Sequence, residues 1–219
     1  MRVPNNASLV EYEGWTLRVR EPSARPSRLL LMLHGWTGDE NSMWVFVRNF
    51  PADYLILAPR GPHVSPNGGY SWRTHPTGTF GRPSLTDLRD SAHALIRLVD
   101  SDPARAGIDA GQFDVMGFSQ GAALSNVLNC LYPQRVRKAG ILAGFMPSGM
   151  EELVAQKPLS GKPVFVTHGT QDNLVPIDRA RASMALLEQA GAQITYCEAD
   201  VGHKVSADCL RALETFFHA

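Results

Sequence analysis

Three residues in this sequence could together carry out nucleophilic acyl transfer. The pentapeptide Gly117-Phe118-Ser119-Gln120-Gly121 follows a predicted strand, Phe113 to Met116, and precedes a predicted helix, Ala122 to Leu131, with Leu124, Val127, Leu128 and Leu131 on one stripe. A serine on a sharp strand-to-helix turn has its Oγ pushed out of the sheet. Gly117 and Gly121 remove the side chains that would collide where strand and helix crowd together. The helix behind Ser119 offers N–H groups and a partial positive charge. A serine hydroxyl is a weak nucleophile at neutral pH, so it needs a base.

Seven histidines compete for that role. His203 is the best placed, in Asp200-Val201-Gly202-His203-Lys204, between the last strand and the last helix. His168 fits a strand end or a support for the acid loop, and His93 and His218 read as surface residues. His63 and His75 lie in a long loop before the serine, against the expected chain order. The acid should fall between serine and histidine in the chain, and Asp172 does so, directly after the strand Val164 to Thr167. Asp200 is too near His203 in the chain to reach its Nδ1 easily, and Asp178 reads as a helix N-terminal residue. Acyl transfer also needs N–H donors for the oxyanion. The Gln120 amide is one. The second should come from His34-Gly35-Trp36-Thr37, with Trp36 the first choice and Thr37 the alternative.

The elements that must position these residues alternate. Trp15 to Arg20 has the apolar-polar alternation of a half-exposed edge strand. Leu29 to Leu33 and Tyr54 to Ala58 are continuous apolar runs, as strands buried on both faces are. An irregular Gly- and Pro-rich stretch runs from Pro59 to Pro83. Ser84 and Asp87 are spaced as a capping box before a helix with Leu85, Leu88, Ala92, Leu95, Ile96 and Val99 on one face. Strand Phe113 to Met116, helix Ala122 to Leu131, and strands Ala139 to Ala143 and Val164 to Thr167 follow. Helix Asp178 to Gln189, strand Ile194 to Cys197 and a helix from about Ser206 to Phe217 complete the series. This order predicts an α/β fold with a mostly parallel sheet, helices on both faces and one domain over residues 1–219. Ligands bind such sheets at the carboxyl ends of the strands, where Ser119, Asp172 and His203 all fall.

Composition narrows the function classes. Lys+Arg and Asp+Glu are each 21, so no broad field attracts nucleic acid or an anionic membrane. No run approaches the roughly 18 apolar residues of a membrane span, and the first residues lack an apolar signal stretch. The three cysteines, Cys130, Cys197 and Cys209, are scattered and form no CxxC pair. They predict neither a disulfide framework nor a zinc site, with Cys130 and Cys197 read as core, and hence a cytoplasmic chain.

These motifs together resemble the phospholipase/carboxylesterase family of α/β-hydrolases, which includes acyl-protein thioesterases. The resemblance runs from about Leu29 to the C-terminus. It is densest in Phe113-Asp-Val-Met-Gly-Phe-Ser-Gln-Gly121 and His168-Gly-Thr-Gln-Asp-Asn-Leu-Val-Pro176, with Gly202-His203 completing it. It implies the α/β-hydrolase fold without a separate lid domain. It implies Ser119, Asp172 and His203 as a triad, Trp36 and Gln120 as the oxyanion hole, and no metal or cofactor. The expected substrate is a small ester of short to medium acyl chain, or a thioester; a peptidase and a ligand receptor on this scaffold are the remaining alternatives. A monomer or homodimer is expected. Trp44, Trp72, Phe80, Phe145 and Met146 are expected to line the acyl pocket. The family commonly has Gly after the elbow glycine, where this chain has Ala122.

Overall fold

The computed structural model describes residues 3, 6–23, 28–74, 82–101 and 111–219. The strands are β1 (Ala7–Tyr12), β2 (Trp15–Arg20), β3 (Arg28–Leu33), β4 (Tyr54–Pro59), β5 (His63–Val64), β6 (Tyr70–Ser71), β7 (Phe113–Phe118), β8 (Val136–Leu142), β9 (Pro163–Gly169) and β10 (Gln193–Ala199). The α-helices are α1 (Leu85–Ser101), α2 (Gln120–Leu131), α3 (Glu151–Ala155), α4 (Ile177–Gln189) and α5 (Ala207–His218), and Trp44–Phe46 forms a 3-10 turn. Eight strands form one sheet in the order β1-β2-β4-β3-β7-β8-β9-β10. From β4 to β10 all neighbours are parallel, while β1 and β2 join antiparallel at one edge.

The continuous apolar runs are explained by period-two burial on both faces. In β3, Leu29, Leu31 and Leu33 enter the core under α1, α2 and α4. Leu30 and Met32 enter the opposite core, with Phe217 and Leu213 of α5 and Trp44 of the 3-10 turn. Helices therefore cover both faces, and no separate lid domain occurs among the described residues. No described helix is long and apolar enough to cross a membrane. The expected cap forms: Ser84 N–H donates to Asp87 Oδ2 at 2.7 Å, and Asp87 N–H donates to Ser84 Oγ at 3.2 Å.

The structure adds three elements that the patterning did not predict: β1, the β5–β6 ribbon inside the long irregular stretch, and α3. It also corrects the reading of the cysteines. Cys197 of β10 and Cys209 of α5 form a disulfide, with Cα atoms 5.5 Å apart. The parallel sheet and the helix packed on it bring together two residues twelve apart in the chain, which spacing alone did not reveal. Cys130 is a buried free thiol, as expected.

Candidate active site

Ser119 sits between the last residue of β7 and the first of α2, with φ 54° and ψ −113°. A non-glycine residue held there costs on the order of 1–3 kcal/mol and needs its surroundings to hold it. Two hydrogen bonds do so: Ser119 N–H donates to Leu142 O at 2.9 Å, and Ser119 O accepts from Ala123 N–H at 3.1 Å. The flanking glycines are required by space. A Cβ at Gly121 would stand 2.1 Å from Leu33 O, and one at Gly117 would stand 2.2 Å from Gly121 O. The Gln120 side chain is buried, and its Oε1 accepts from Trp72 N–H at 2.9 Å. Its own N–H lies in the first turn of α2, where the helix supplies no acceptor.

Asp172 and His203 meet because two strand-end loops run side by side. Thr170 N–H donates to Ala199 O at 2.9 Å and Gln171 N–H to Val201 O at 3.0 Å. A Cβ at Gly169 would stand 2.2 Å from Val201 O, so only glycine permits this approach. His203 Nδ1 then lies 2.6 Å from Asp172 Oδ2. A carboxylate only accepts, so Nδ1 carries a proton, and it is the neutral form of this ring that presents a lone pair on Nε2. Asp172 Oδ1 accepts from Leu174 and Val175 N–H, both at 2.9 Å. The Asp172 side chain is fully buried, and that of His203 is 17% exposed. The His203 ring packs on Phe118, the neighbour of Ser119, at a centroid distance of 4.9 Å. Asp200 is engaged elsewhere, accepting from Thr170 Oγ1 at 3.1 Å, and the Asp178 side chain is 92% exposed. His168 lies beneath the acid: its Nε2–H donates to Val175 O at 2.7 Å and stands 3.3 Å from Asp172 Oδ2.

The loop after β3 closes on the serine from the other side. A Cβ at Gly35 would stand 3.4 Å from Ser119 Cβ. His34 organises this loop. Its Nε2 accepts from Gly61 N–H at 2.8 Å, so the proton is on Nδ1, which donates to Gly35 O at 2.7 Å. Burial lowers the His34 pKa to about 4, leaving the ring neutral. Thr37 N–H donates to Tyr70 O at 2.9 Å, which commits the alternative oxyanion donor to the β5–β6 ribbon. Trp36 lines a mostly apolar cleft of about 390 Å³ together with Met43, Val45, Phe46, Phe118 and Val205.

Three of the expected pocket residues are corrected. Trp44 is 1% and Trp72 0% exposed, and their Nε1–H groups donate to Glu40 O and His34 O. Both brace loops from inside the core and cannot meet a ligand. Phe145 is likewise buried. Met146 lines a second cavity, and Phe80 lies outside the described residues, as does His75. Two of the walls that patterning missed had a signal, Phe118 beside Ser119 and Val205 two residues after His203, whereas Phe46 lies in the 3-10 turn, away from any motif. No group of three or more metal-ligating side chains occurs among the described residues.

Comparison with known proteins bears on this arrangement. Residues 16–219 match the family model described as phospholipase/carboxylesterase. The chain belongs to the phospholipase/carboxylesterase family. Within this family it is 28% identical over 187 residues to Carboxylesterase SOBER1 of Arabidopsis thaliana, covering 80% of this chain and 76% of that protein. It is 28% identical over 180 residues to Acyl-protein thioesterase 1 of Kluyveromyces lactis, covering 74% and 76%. The fold agrees with the crystal structure of a carboxylesterase from Mesorhizobium loti, with a TM-score of 0.81 at 20% identity over 98% of this chain and all of that one. The family's α/β-hydrolase fold is thus the fold of this chain.

Proposed function

We propose that this phospholipase/carboxylesterase family member is a serine esterase that cleaves small carboxylic esters through an acyl-enzyme. Ser119 Oγ attacks the acyl carbonyl while His203 Nε2 takes its proton. Asp172 holds the His203 tautomer and stabilises the imidazolium. The amides of Gln120 and Trp36 receive the oxyanion; the commitment of Thr37 N–H to Tyr70 O favours Trp36 over Thr37. His203 then protonates the leaving alcohol, and water activated by the same imidazole releases the acid. The observation that carries the reading is the 2.6 Å His203–Asp172 bond beside the strained serine turn.

The test is initial-rate hydrolysis of p-nitrophenyl esters from acetate to palmitate, with wild type and Ser119→Ala in parallel. We expect an optimum at short to medium chains, since the apolar cleft is only about 390 Å³. Ser119→Ala should lower kcat by about 10⁴-fold or more. Equal rates for the two proteins would overturn the assignment. A thioester leaving group would use the same machinery, and the similarity to an acyl-protein thioesterase favours trying it second.

The cytoplasmic expectation rested in part on unpaired cysteines, and the Cys197–Cys209 bond removes that part of its ground. A compartment where thiols oxidise suits the chain better. Differential alkylation of the endogenous protein, before and after reduction, decides it.

A further inference from the structure

Trp72 is wholly buried, yet its two N–H groups reach both sides of the candidate site. The backbone N–H donates to Gln120 Oε1 at 2.9 Å, and the indole Nε1–H donates to His34 O at 2.7 Å. Gln120 opens α2 directly after Ser119, and His34 begins the loop that follows β3. These are the two elements from which the oxyanion donors come. The Trp72 carbonyl accepts from Ser91 Oγ of α1 at 2.6 Å, which anchors the residue to a third element.

Each end of this tie acts on a donor. On the α2 side, the buried Gln120 side chain is gripped twice, because its Nε2–H also donates to Ser71 Oγ at 3.1 Å. The peptide unit that joins Ser119 to Gln120 carries the first donor. On the β3 side, two consecutive peptide units are fixed. His34 O accepts the indole N–H, and Gly35 O accepts from His34 Nδ1–H at 2.7 Å and from Gly38 N–H at 2.9 Å. In a trans peptide the N–H points opposite to the C=O. The groups that hold Gly35 O thus set the direction of Trp36 N–H. The His34 ring, 4.8 Å from the Trp72 ring, belongs to the same assembly. The His34 carbonyl also lies against α2, since a Cβ at Gly121 would stand 2.6 Å from it. Two amides on separate elements can meet one oxygen only if those elements cannot drift apart, and a misplacement of about 1 Å costs roughly 10²-fold in rate.

We propose that Trp72 is a positioning residue for acyl transfer: it clamps α2 to the loop after β3 and so fixes the spacing of the two oxyanion donors, Gln120 N–H and Trp36 N–H. This rests on the serine-esterase reading. Losing one such donor outright costs roughly 10²–10³ in kcat, so a displaced donor should cost about tenfold. The test uses the whole chain, p-nitrophenyl butyrate as substrate and an alkyl trifluoromethyl ketone, whose serine adduct carries the oxyanion, as inhibitor. Trp72→Phe cuts the arm to His34 and Gln120→Met the arm to α2, and both keep every backbone amide. Each should lower kcat about tenfold with KM little changed, and weaken the ketone by a similar factor. A clamp fails when either arm is cut, so the double variant should lose little more than either single one. Benzothienylalanine at position 72, which keeps the ring shape and removes only its N–H, replaces Trp72→Phe where that variant does not fold. Wild-type kcat and ketone affinity in the single variants, per folded molecule, would reduce Trp72 to packing. Losses that multiply in the double variant would mean two independent contacts and overturn the clamp. Ser119→Ala on the same ester separates the two readings. If it is silent while the clamp variants match wild type, the clamp alone fails; if it cleaves as fast as wild type, the serine-esterase reading fails and the clamp with it.

Discussion

Asp172 Oδ2 is shared by two imidazoles, His203 at 2.6 Å and His168 at 3.3 Å. His168 also donates to the carbonyl of Val175, and the N–H of that same residue donates to Asp172 Oδ1. In the proposed mechanism His168 is a positioning residue. His168→Phe should lower kcat roughly tenfold with KM little changed, and His168→Gln, which keeps a donor near Nε2, should recover much of the loss. Unchanged kcat in His168→Phe would reduce His168 to packing. His34 makes a different demand. It titrates near 4 when folded, against 6.5 for an ordinary histidine. Between those values the unfolded chain takes the proton and the folded chain does not. Its contribution to stability is therefore complete above pH 6.5 and is lost as pH falls toward 4, by on the order of 3 kcal/mol. Urea unfolding at pH 7 and pH 4.5 measures this, and His34→Gln should flatten the difference.

At the scale of elements, the approach of α2 to the β8 exit shows how a local departure is accommodated. Ala122 stands where the family commonly has glycine, and a Cβ at Gly144 would fall 2.3 Å from the Ala122 Cβ. Gly144 provides the space that Ala122 occupies. Gly144→Ala should destabilise the fold by about 1–3 kcal/mol, and adding Ala122→Gly should restore much of it; additive losses in thermal unfolding would contradict the pairing. This partnership was invisible in the sequence because the two residues lie on different elements. What was legible had strong local causes. Leu29 to Leu33 reads as a doubly buried strand because every position is apolar, and Ser119 reads as a turn because two glycines flank it. The β5–β6 ribbon was hidden because its strands are two residues each, too short for any period to show. Trp44 and Trp72 were misplaced because an aromatic in a strand-end loop can brace the loop or line the site, and composition does not distinguish them.

For the whole molecule, the chain places Ser119, Asp172 and His203 after β7, β9 and β10, at the carboxyl ends of three parallel strands. The last of these loops is also a covalent ring, because Cys197 and Cys209 bracket it. Closing a ring of this size stabilises a fold by about 3 kcal/mol. Cys209→Ala should lower the urea midpoint accordingly; a midpoint equal to that of wild type would mean that the bond contributes nothing. The carboxyl end of α5 is held separately. Phe217 O accepts from Arg28 at 3.1 Å and Phe216 O from Lys138 at 3.0 Å. Lys204 is exposed inside the ring, directly after His203. Trypsin could therefore sever the backbone at that lysine without releasing the terminal peptide. The nicked protein would run as one band on a denaturing gel without thiol and lose a fragment of residues 205–219 once thiol is added, an intact body with a broken thread.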